Sequence, residues 1–184
     1  MASTDESVFD IVISEHRAVD SLFEQWRNTS SFDRRKDILG EVSHMLNMHA
    51  AAEEMVLYPV TRRTIQDRGD ELAESSLHDH QEVKELLDSL QGCDEQQMNR
   101  DFPRLIEAVQ RHVREEETEV IPAMRSNLTQ DQMITMGRAF RAAKSTAPTR
   151  PHPSAPNKPP MNFIAGSVTG IIDRMNDWLL GLPK

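Results

Sequence analysis

The sequence predicts an all-α fold: an antiparallel up-down-up-down four-helix bundle with a short fifth helix and a tethered C-terminal amphipathic helix. Apolar residues recur at steps of three and four in four segments, which is the spacing of a single helix face. Strand-like alternation is absent and β-branched residues are sparse. Glycine and proline are rare before residue 148, so the connections are short, and short connections make neighbouring helices antiparallel.

Each of the four segments has an apolar stripe that also includes a histidine. In chain order the stripes are Val8, Val12, His16, Val19, Phe23 and Trp26; Ile38, Val42, Met45, His49, Glu53, Val56 and Val60; Leu72, Ser76, His80, Val83, Leu87 and Leu90; and Phe102, Leu105, Val109, His112, Glu116 and Val120. Turn-like residues at 28–33, 67–70 and 91–92 separate the segments. Pro59, Pro103 and Pro122 are expected where helices start or stop.

A fifth helix is predicted to start near Thr129, where Gln132 three residues later completes a capping box. It would place Met133, Met136 and Phe140 against the bundle, which we expect to span residues 6–143. Six of the ten prolines then fall in residues 148–160, a composition typical of an extended linker. Residues 161–182 have one more apolar stripe and are predicted to form the tethered tail helix.

Bulk composition excludes several classes of function. A net charge of −9 is the wrong sign for binding nucleic-acid phosphates, so no nucleic-acid partner is expected. The single cysteine, Cys93, excludes a disulfide framework and a cysteine-rich metal site. The N-terminus has neither the basic nor the apolar region of a secretory signal, and no run is long enough to span a membrane. We therefore expect a cytoplasmic protein.

The chain aligns with itself at an offset of about 64 residues. His49 and Glu53 are followed by Pro59, and His112 and Glu116 are followed by Pro122, each proline ten residues after its histidine. His16 and His49 are 33 positions apart, and His80 and His112 are 32 apart. Two helix pairs thus share one plan: a single histidine on the first helix and a His-x-x-x-Glu motif on the second.

This duplicated plan predicts a metal site inside the bundle. Residues at i and i+4 lie on one helix face, and both His-x-x-x-Glu faces are otherwise apolar. A buried glutamate without a partner is very costly, and a pair of cations would neutralise two glutamates while the imidazoles complete the ligand sets. The predicted ligands are His16, His49, Glu53, His80, His112 and Glu116. Mixed nitrogen and oxygen ligands suit iron, manganese or zinc, and the residues alone do not separate these metals.

Together these motifs resemble the hemerythrin-like, or HHE cation-binding, domain family. The residues that carry the resemblance are Glu15-His16, His49-x-x-x-Glu53-Glu54, Asp79-His80 and His112-x-x-x-Glu116-Glu117, with Pro59 and Pro122 downstream. The resemblance implies two iron ions in an oxo- or hydroxo-bridged non-haem centre. One iron would take His16 and His49 and the other His80 and His112, with Glu53 and Glu116 bridging.

One departure narrows the expected function. Oxygen-carrying members of the family add a histidine one turn before the third-helix ligand, and this chain has Ser76 there. The resemblance therefore favours handling or sensing of dioxygen, hydrogen peroxide or nitric oxide, including a catalase-like activity, over reversible oxygen carriage. The alternatives are an iron- or oxygen-responsive sensor without turnover and a purely structural bundle. The tail helix would dock on a protein partner, on a second copy, or back onto the bundle.

Five side chains near these motifs are expected to have lesser roles. His44 and His78 lie off the ligand stripes and are expected at the surface. Glu54 and Glu117 are about 100° round the helix from the predicted ligands and are expected to support the ligands or face solvent. Tyr58, the only tyrosine, is expected to pack in the core, with lining of the pocket as the alternative.

Overall fold

The computed structural model describes residues 5–145, and this part of the chain is helical without any strand. Its elements are α1 (Val8–Arg27), α2 (Phe32–Ala52), π1 (Glu53–Leu57), α3 (Tyr58–Thr64), α4 (Gly69–Ser89), α5 (Glu95–Glu115), π2 (Glu116–Val120), α6 (Ile121–Arg125) and α7 (Gln130–Lys144). The π-helical turn π1 continues α2 into α3, and π2 continues α5 into α6, so residues 5–145 form five helical rods. The all-α prediction is confirmed. The predicted linker at 148–160 and tail helix at 161–182 lie outside the described residues.

Polar caps explain where four of the rods begin. The side chains of Ser7, Ser31 and Asp94 accept hydrogen bonds from backbone N–H groups in the first turns of α1, α2 and α5. Thr129 and Gln132 form the reciprocal capping box that the sequence predicts for the fifth rod. Gly92, with φ of 68°, lies in the turn after α4, where the left-handed backbone suits glycine.

The expectation that Pro103 starts or stops a helix is wrong. The helix α5 begins eight residues earlier, at Glu95, and Pro103 lies inside it. The Asp94 cap fixes the earlier start, and Met98 and Phe102, both buried, extend the apolar stripe through the proline. Packing and capping outweigh the one backbone hydrogen bond that a proline removes.

Packing places the rods around a common interior. Helix α1 packs on α2, α4 packs on α5 and on α3, and α7 lies against α1, α2 and π1. The predicted contact of the fifth rod with the bundle is confirmed, since Met136 and Phe140 are fully buried in the core. None of the helices within residues 5–145 is long and apolar enough to cross a lipid bilayer.

The apolar core is divided in two along the bundle axis. One cluster includes Val12 and Ala52, and the other includes Val19 and Leu46. On every long rod the predicted ligands lie between the two clusters: on α1, for example, His16 lies between Val12 and Val19. Within residues 5–145 the interior therefore has a layer of histidines and glutamates with apolar packing above and below it.

Candidate metal centre

All six predicted ligands lie in this polar layer. Glu53 and Glu116 have no exposed surface, and His16, His49, His80 and His112 are each 4 to 6% exposed. The histidines come from α1, α2, α4 and α5, and the glutamates are the first residues of π1 and π2. The sequence repeat thus becomes a pseudo-symmetric constellation in which each half of the chain supplies two histidines and one glutamate.

Donor atoms of these residues form two groups in which every atom is within 4.8 Å of the others. One group is His16, His49, Glu53 and Glu116, and the other is Glu53, His80 and His112. Glu53 belongs to both: its Oε1 is 2.9 Å from Nε2 of His49, and its Oε2 is 3.2 Å from Nε2 of His80. Glu116 belongs only to the first group, although its Oε2, 3.5 Å from Nε2 of His16, also lies 3.9 Å from Nε2 of His112. The two oxygens of Glu53 are thus placed as those of a carboxylate that bridges a pair of cations would be.

A carboxylate faces the Nδ1 atom of each histidine, on the far side of the ring from the cluster. The pairs are His16 with Glu117 at 2.9 Å, His49 with Glu15 at 2.9 Å, His80 with Glu54 at 3.1 Å, and His112 with Asp79 at 3.8 Å. The first three are hydrogen bonds, and the fourth is too long for one. Such carboxylates fix the ring orientation and leave Nε2 available for a metal ion.

Each of these four carboxylates in turn contacts a basic side chain. The pairs are Glu117 with Arg17 at 2.5 Å, Glu54 with Lys84 at 2.8 Å, Asp79 with Arg111 at 3.0 Å, and Glu15 with Lys144. Burial raises the pKa of all four carboxyl groups, but their histidine and basic partners outweigh it, and each pKa is lowered. The carboxylates therefore stay ionised and accept hydrogen bonds.

The unpaired atoms at the centre of the layer test whether a metal fits. Among the described residues, Nε2 of His16, Nε2 of His49 and all four carboxylate oxygens of Glu53 and Glu116 are buried without a hydrogen-bond partner. Buried charges left this way cost several kcal/mol each. These central atoms are the ones that would bind a metal, whereas the other unpartnered buried atoms, Trp26 Nε1, Asp79 Oδ2 and His112 Nδ1, are not among the predicted donors. Nitrogen with oxygen is a donor set that suits a divalent or trivalent transition metal. The residues fit a metal pair.

Two of the four histidines have raised pKa values in the metal-free chain. Burial lowers the pKa of His49, but Glu53 and Glu15 more than offset this and raise it to about 10. His80 is affected in the same way, mainly by Glu53 and Glu54, and its pKa rises to about 9. Burial raises the pKa of Glu53, yet the two imidazoles hold it well below its usual range. The cluster therefore attracts positive charge whichever cation supplies it.

Tyr58 reaches this layer, whereas the sequence favoured core packing and gave a place at the pocket only as the alternative. Its hydroxyl lies 3.0 Å from Nε2 of His80, and the residue is 2% exposed. Burial first, and then the charge of Glu53 and Glu116, raise the pKa of Tyr58 well above its ordinary value, while a hydrogen bond with Ser76 acts in the opposite direction. Ser76, at the position where the oxygen carriers have their fifth histidine, is thus a partner of the phenol.

A cavity of about 40 Å³ adjoins the cluster. His49, His80 and His112 line one side, and apolar side chains such as Leu46 and Val83 line much of the remainder. One water needs about 10–15 Å³ of such volume, so a molecule of two or three heavy atoms fits. The expectations for His44 and His78 are confirmed, since both are exposed and lie outside the cluster.

The fold and site define a helical bundle with a buried histidine and carboxylate cation site. Residues 7–124 match the model of the hemerythrin HHE cation binding domain, and the chain belongs to this family. It is 32% identical over 178 residues to an uncharacterized hemerythrin-like protein of Schizosaccharomyces pombe, covering 96% of this chain and 88% of the relative. It is also 31% identical over 144 residues to a DNA nickase of Nostoc, covering 77% of this chain and 40% of that longer protein. No solved structure matched the chain significantly.

Proposed function

We propose that the polar layer holds two iron ions and that the protein binds dioxygen, hydrogen peroxide or nitric oxide there, or decomposes hydrogen peroxide. The observation that carries the proposal is the set of buried Nε2 and carboxylate oxygen atoms that lack hydrogen-bond partners. The donor residues form two groups, and Glu53 belongs to both. Bound iron would supply redox chemistry and open coordination positions for a small ligand.

The chain's own residues would have separate tasks. His16 and His49 would hold one ion, His80 and His112 the other, and Glu53 and Glu116 would bridge them. The carboxylates behind the rings would keep each imidazole oriented. The apolar part of the adjoining cavity admits a diatomic molecule or peroxide while it disfavours bulk water.

Metal analysis with visible spectroscopy tests the iron assignment. We expect about two irons per purified full-length chain, near-ultraviolet bands of an oxo-bridged pair, and a spectral change on adding azide or peroxide. Manganese or zinc at the same stoichiometry would correct the metal and retain the site. Absence of any bound metal after reconstitution would overturn the proposal.

Two histidines on the same helix provide a matched pair of variants. His49→Ala removes a buried predicted ligand, whereas His44→Ala removes an exposed histidine five residues earlier. We expect the first to lose at least one of the two metals and the second to retain both. Decomposition of peroxide, measured by oxygen release, should follow metal content in the two variants. Equal metal content in the two variants would argue against the ligand set, and an inactive protein with full iron would exclude the catalytic form of the proposal.

A sensor without turnover is the second candidate, and contacts of α7 favour it. Lys144, at the end of α7, pairs with Glu15, which holds His49, and the ring of Phe140 lies 6.0 Å from that of His49. Loss of metal at His49 would therefore weaken the packing of α7 against the bundle, and α7 is the helix that precedes residues 146–184. We expect limited proteolysis after residue 145 to be faster in chelated protein than in iron-loaded protein. Equal rates would count against the sensor.

We propose neither DNA cleavage nor DNA binding for this chain. The nickase relative is much longer than the region it shares, and a net charge of −9 opposes contact with phosphates. We expect the protein to be cytoplasmic and its iron centre to act in the response to oxidative stress.

A further inference from the structure

The two halves of the centre differ at one position. In both π turns the residue five places after the bridging glutamate donates its backbone N–H to that glutamate's carbonyl. In π1 this residue is Tyr58, and in π2 it is Ile121, which is 3% exposed in the apolar core. The sequence repeat is thus broken where it comes close to the donor atoms.

The π turn is what brings Tyr58 to the polar layer. In an α-helix, residues five apart point about 140° away from each other, so Tyr58 would not share the face of Glu53. An i to i+5 hydrogen bond widens the turn to include one more residue, which brings position i+5 back toward the face of position i. Pro59 directly follows and lacks the N–H that a regular α-helical turn would use, which favours the wider turn.

The phenol oxygen has the spacing of a metal ligand. Neighbouring ligands on an octahedral ion with bonds of about 2.1 Å are about 3.0 Å apart. From Nε2 of His80, the Tyr58 hydroxyl is 3.0 Å away, Nε2 of His112 is 3.2 Å away, and Oε2 of Glu53 is 3.2 Å away. The phenol oxygen is therefore as close to Nε2 of His80 as the neighbouring predicted donors, His112 and Glu53, are.

We infer that the oxygen of Tyr58 is a further ligand of the ion held by His80 and His112. The inference rests on the proposed di-iron function. Binding through this oxygen releases the phenol proton to solvent, as binding by other protic ligands does. The ion held by His16 and His49 has Ile121 at the equivalent position and gains no such ligand. The two ions therefore differ in their number of protein ligands, and the small ligand binds to the ion held by His16 and His49.

The test uses the fact that Tyr58 is the only tyrosine of the chain. A phenolate bound to ferric iron has a broad visible charge-transfer band, and resonance Raman excitation in that band enhances the ring modes of the bound tyrosine. Any such signal in the iron-loaded wild-type chain must come from Tyr58. We expect the band and the ring modes in the wild type and in the control Ile121→Val, and their complete loss in Tyr58→Phe. We also expect a chelator to extract one of the two irons about tenfold faster from Tyr58→Phe.

The outcomes separate the two proposals. A wild-type protein that holds two irons but lacks tyrosinate modes overturns the inference and leaves the di-iron function standing, and this result needs no variant to fold. Identical visible spectra of wild type and Tyr58→Phe have the same meaning. A wild-type chain that retains no iron overturns the proposed function, and the inference with it.

Discussion

At the residue scale, the site has an inner set of histidine and glutamate donor atoms and an outer set of carboxylates behind the imidazole rings. The four histidines and two glutamates are where the repeat placed them, because i and i+4 spacing on an apolar face leaves little freedom. The roles of Glu15 and Asp79 were not predicted, since each supports a histidine on a different helix. Such cross-helix pairs depend on the rotation of neighbouring rods, which one helical stripe does not specify. The acid before each lone histidine was the available signal.

Glu117 provides a test of these supporting carboxylates. Glu117→Gln removes the charge that orients His16 while it keeps the size of the side chain, so we expect iron affinity to fall about 10- to 100-fold. The measurement is competition with a chelator of known affinity. The control is Glu115→Gln, an exposed neighbour outside the cluster, which should bind iron like the wild type. If both variants retain wild-type affinity, the ring of His16 is held by packing alone.

Core packing was the favoured expectation for Tyr58 and a place at the pocket the alternative, for a reason that is also local. Apolar periodicity assumes 3.6 residues per turn, and on that assumption the phenol lies off the ligand stripe. The π turn at Glu53–Leu57 adds a residue to the turn and changes the register after Glu53. Pro59 and Pro122, ten residues after their histidines, were the visible signs of both π turns, although they were interpreted only as helix boundaries.

At the element scale, the fifth rod was predicted in type, start and contact because its capping box is specific. What the sequence did not predict is how closely α7 approaches the start of α1. A Cβ atom at Gly137 would lie 2.4 Å from the carbonyl oxygen of Glu6, which is backbone and cannot rotate away. The ion pairs Arg138–Asp5 and Arg141–Glu6 flank this crossing. Only glycine permits the observed distance.

Two glycine substitutions, with opposite expected effects on the free energy of unfolding, test the close approach of α7 to α1. Gly137→Ala should separate α7 from α1 and destabilise the fold by about 1–3 kcal/mol, the usual cost of overpacking. Gly40→Ala, at an exposed position within α2 where nothing lies within 4 Å, should stabilise it by about 0.5–1 kcal/mol through helix propensity. Urea unfolding measures both changes. A neutral Gly137→Ala would mean that α7 is not docked at this distance in solution.

At the scale of the whole molecule, a buried ionic layer separates two apolar clusters, so we expect metal content and stability to be coupled. A ligand that binds only the folded chain stabilises it by about 4 kcal/mol when present at about 1,000 times its Kd. For a domain of this size that corresponds to a Tm rise of about 10 °C. We expect the Tm of chelated wild-type protein to be about 10 °C below that of the iron-loaded protein. For His49→Ala we expect a much smaller Tm difference between the two forms. Differential scanning calorimetry with and without chelator checks it, and equal Tm values for the wild type would contradict the coupling.

The Tm difference between iron-loaded and chelated protein should depend on pH, and the direction of the change follows from the pKa of His49. Burial lowers the pKa of His49, but Glu53 and Glu15 raise it from 6.5 to about 10 in the metal-free chain. A pKa raised on folding stabilises the metal-free fold fully below pH 6.5, and this contribution is lost as the pH rises toward 10. Iron binds only the neutral imidazole, so its affinity changes in the opposite direction and increases with pH. The Tm gap between iron-loaded and chelated protein should therefore widen from about pH 6 to about pH 8. A gap that is constant or narrows over this range would mean that protons and metal do not compete for the same imidazoles.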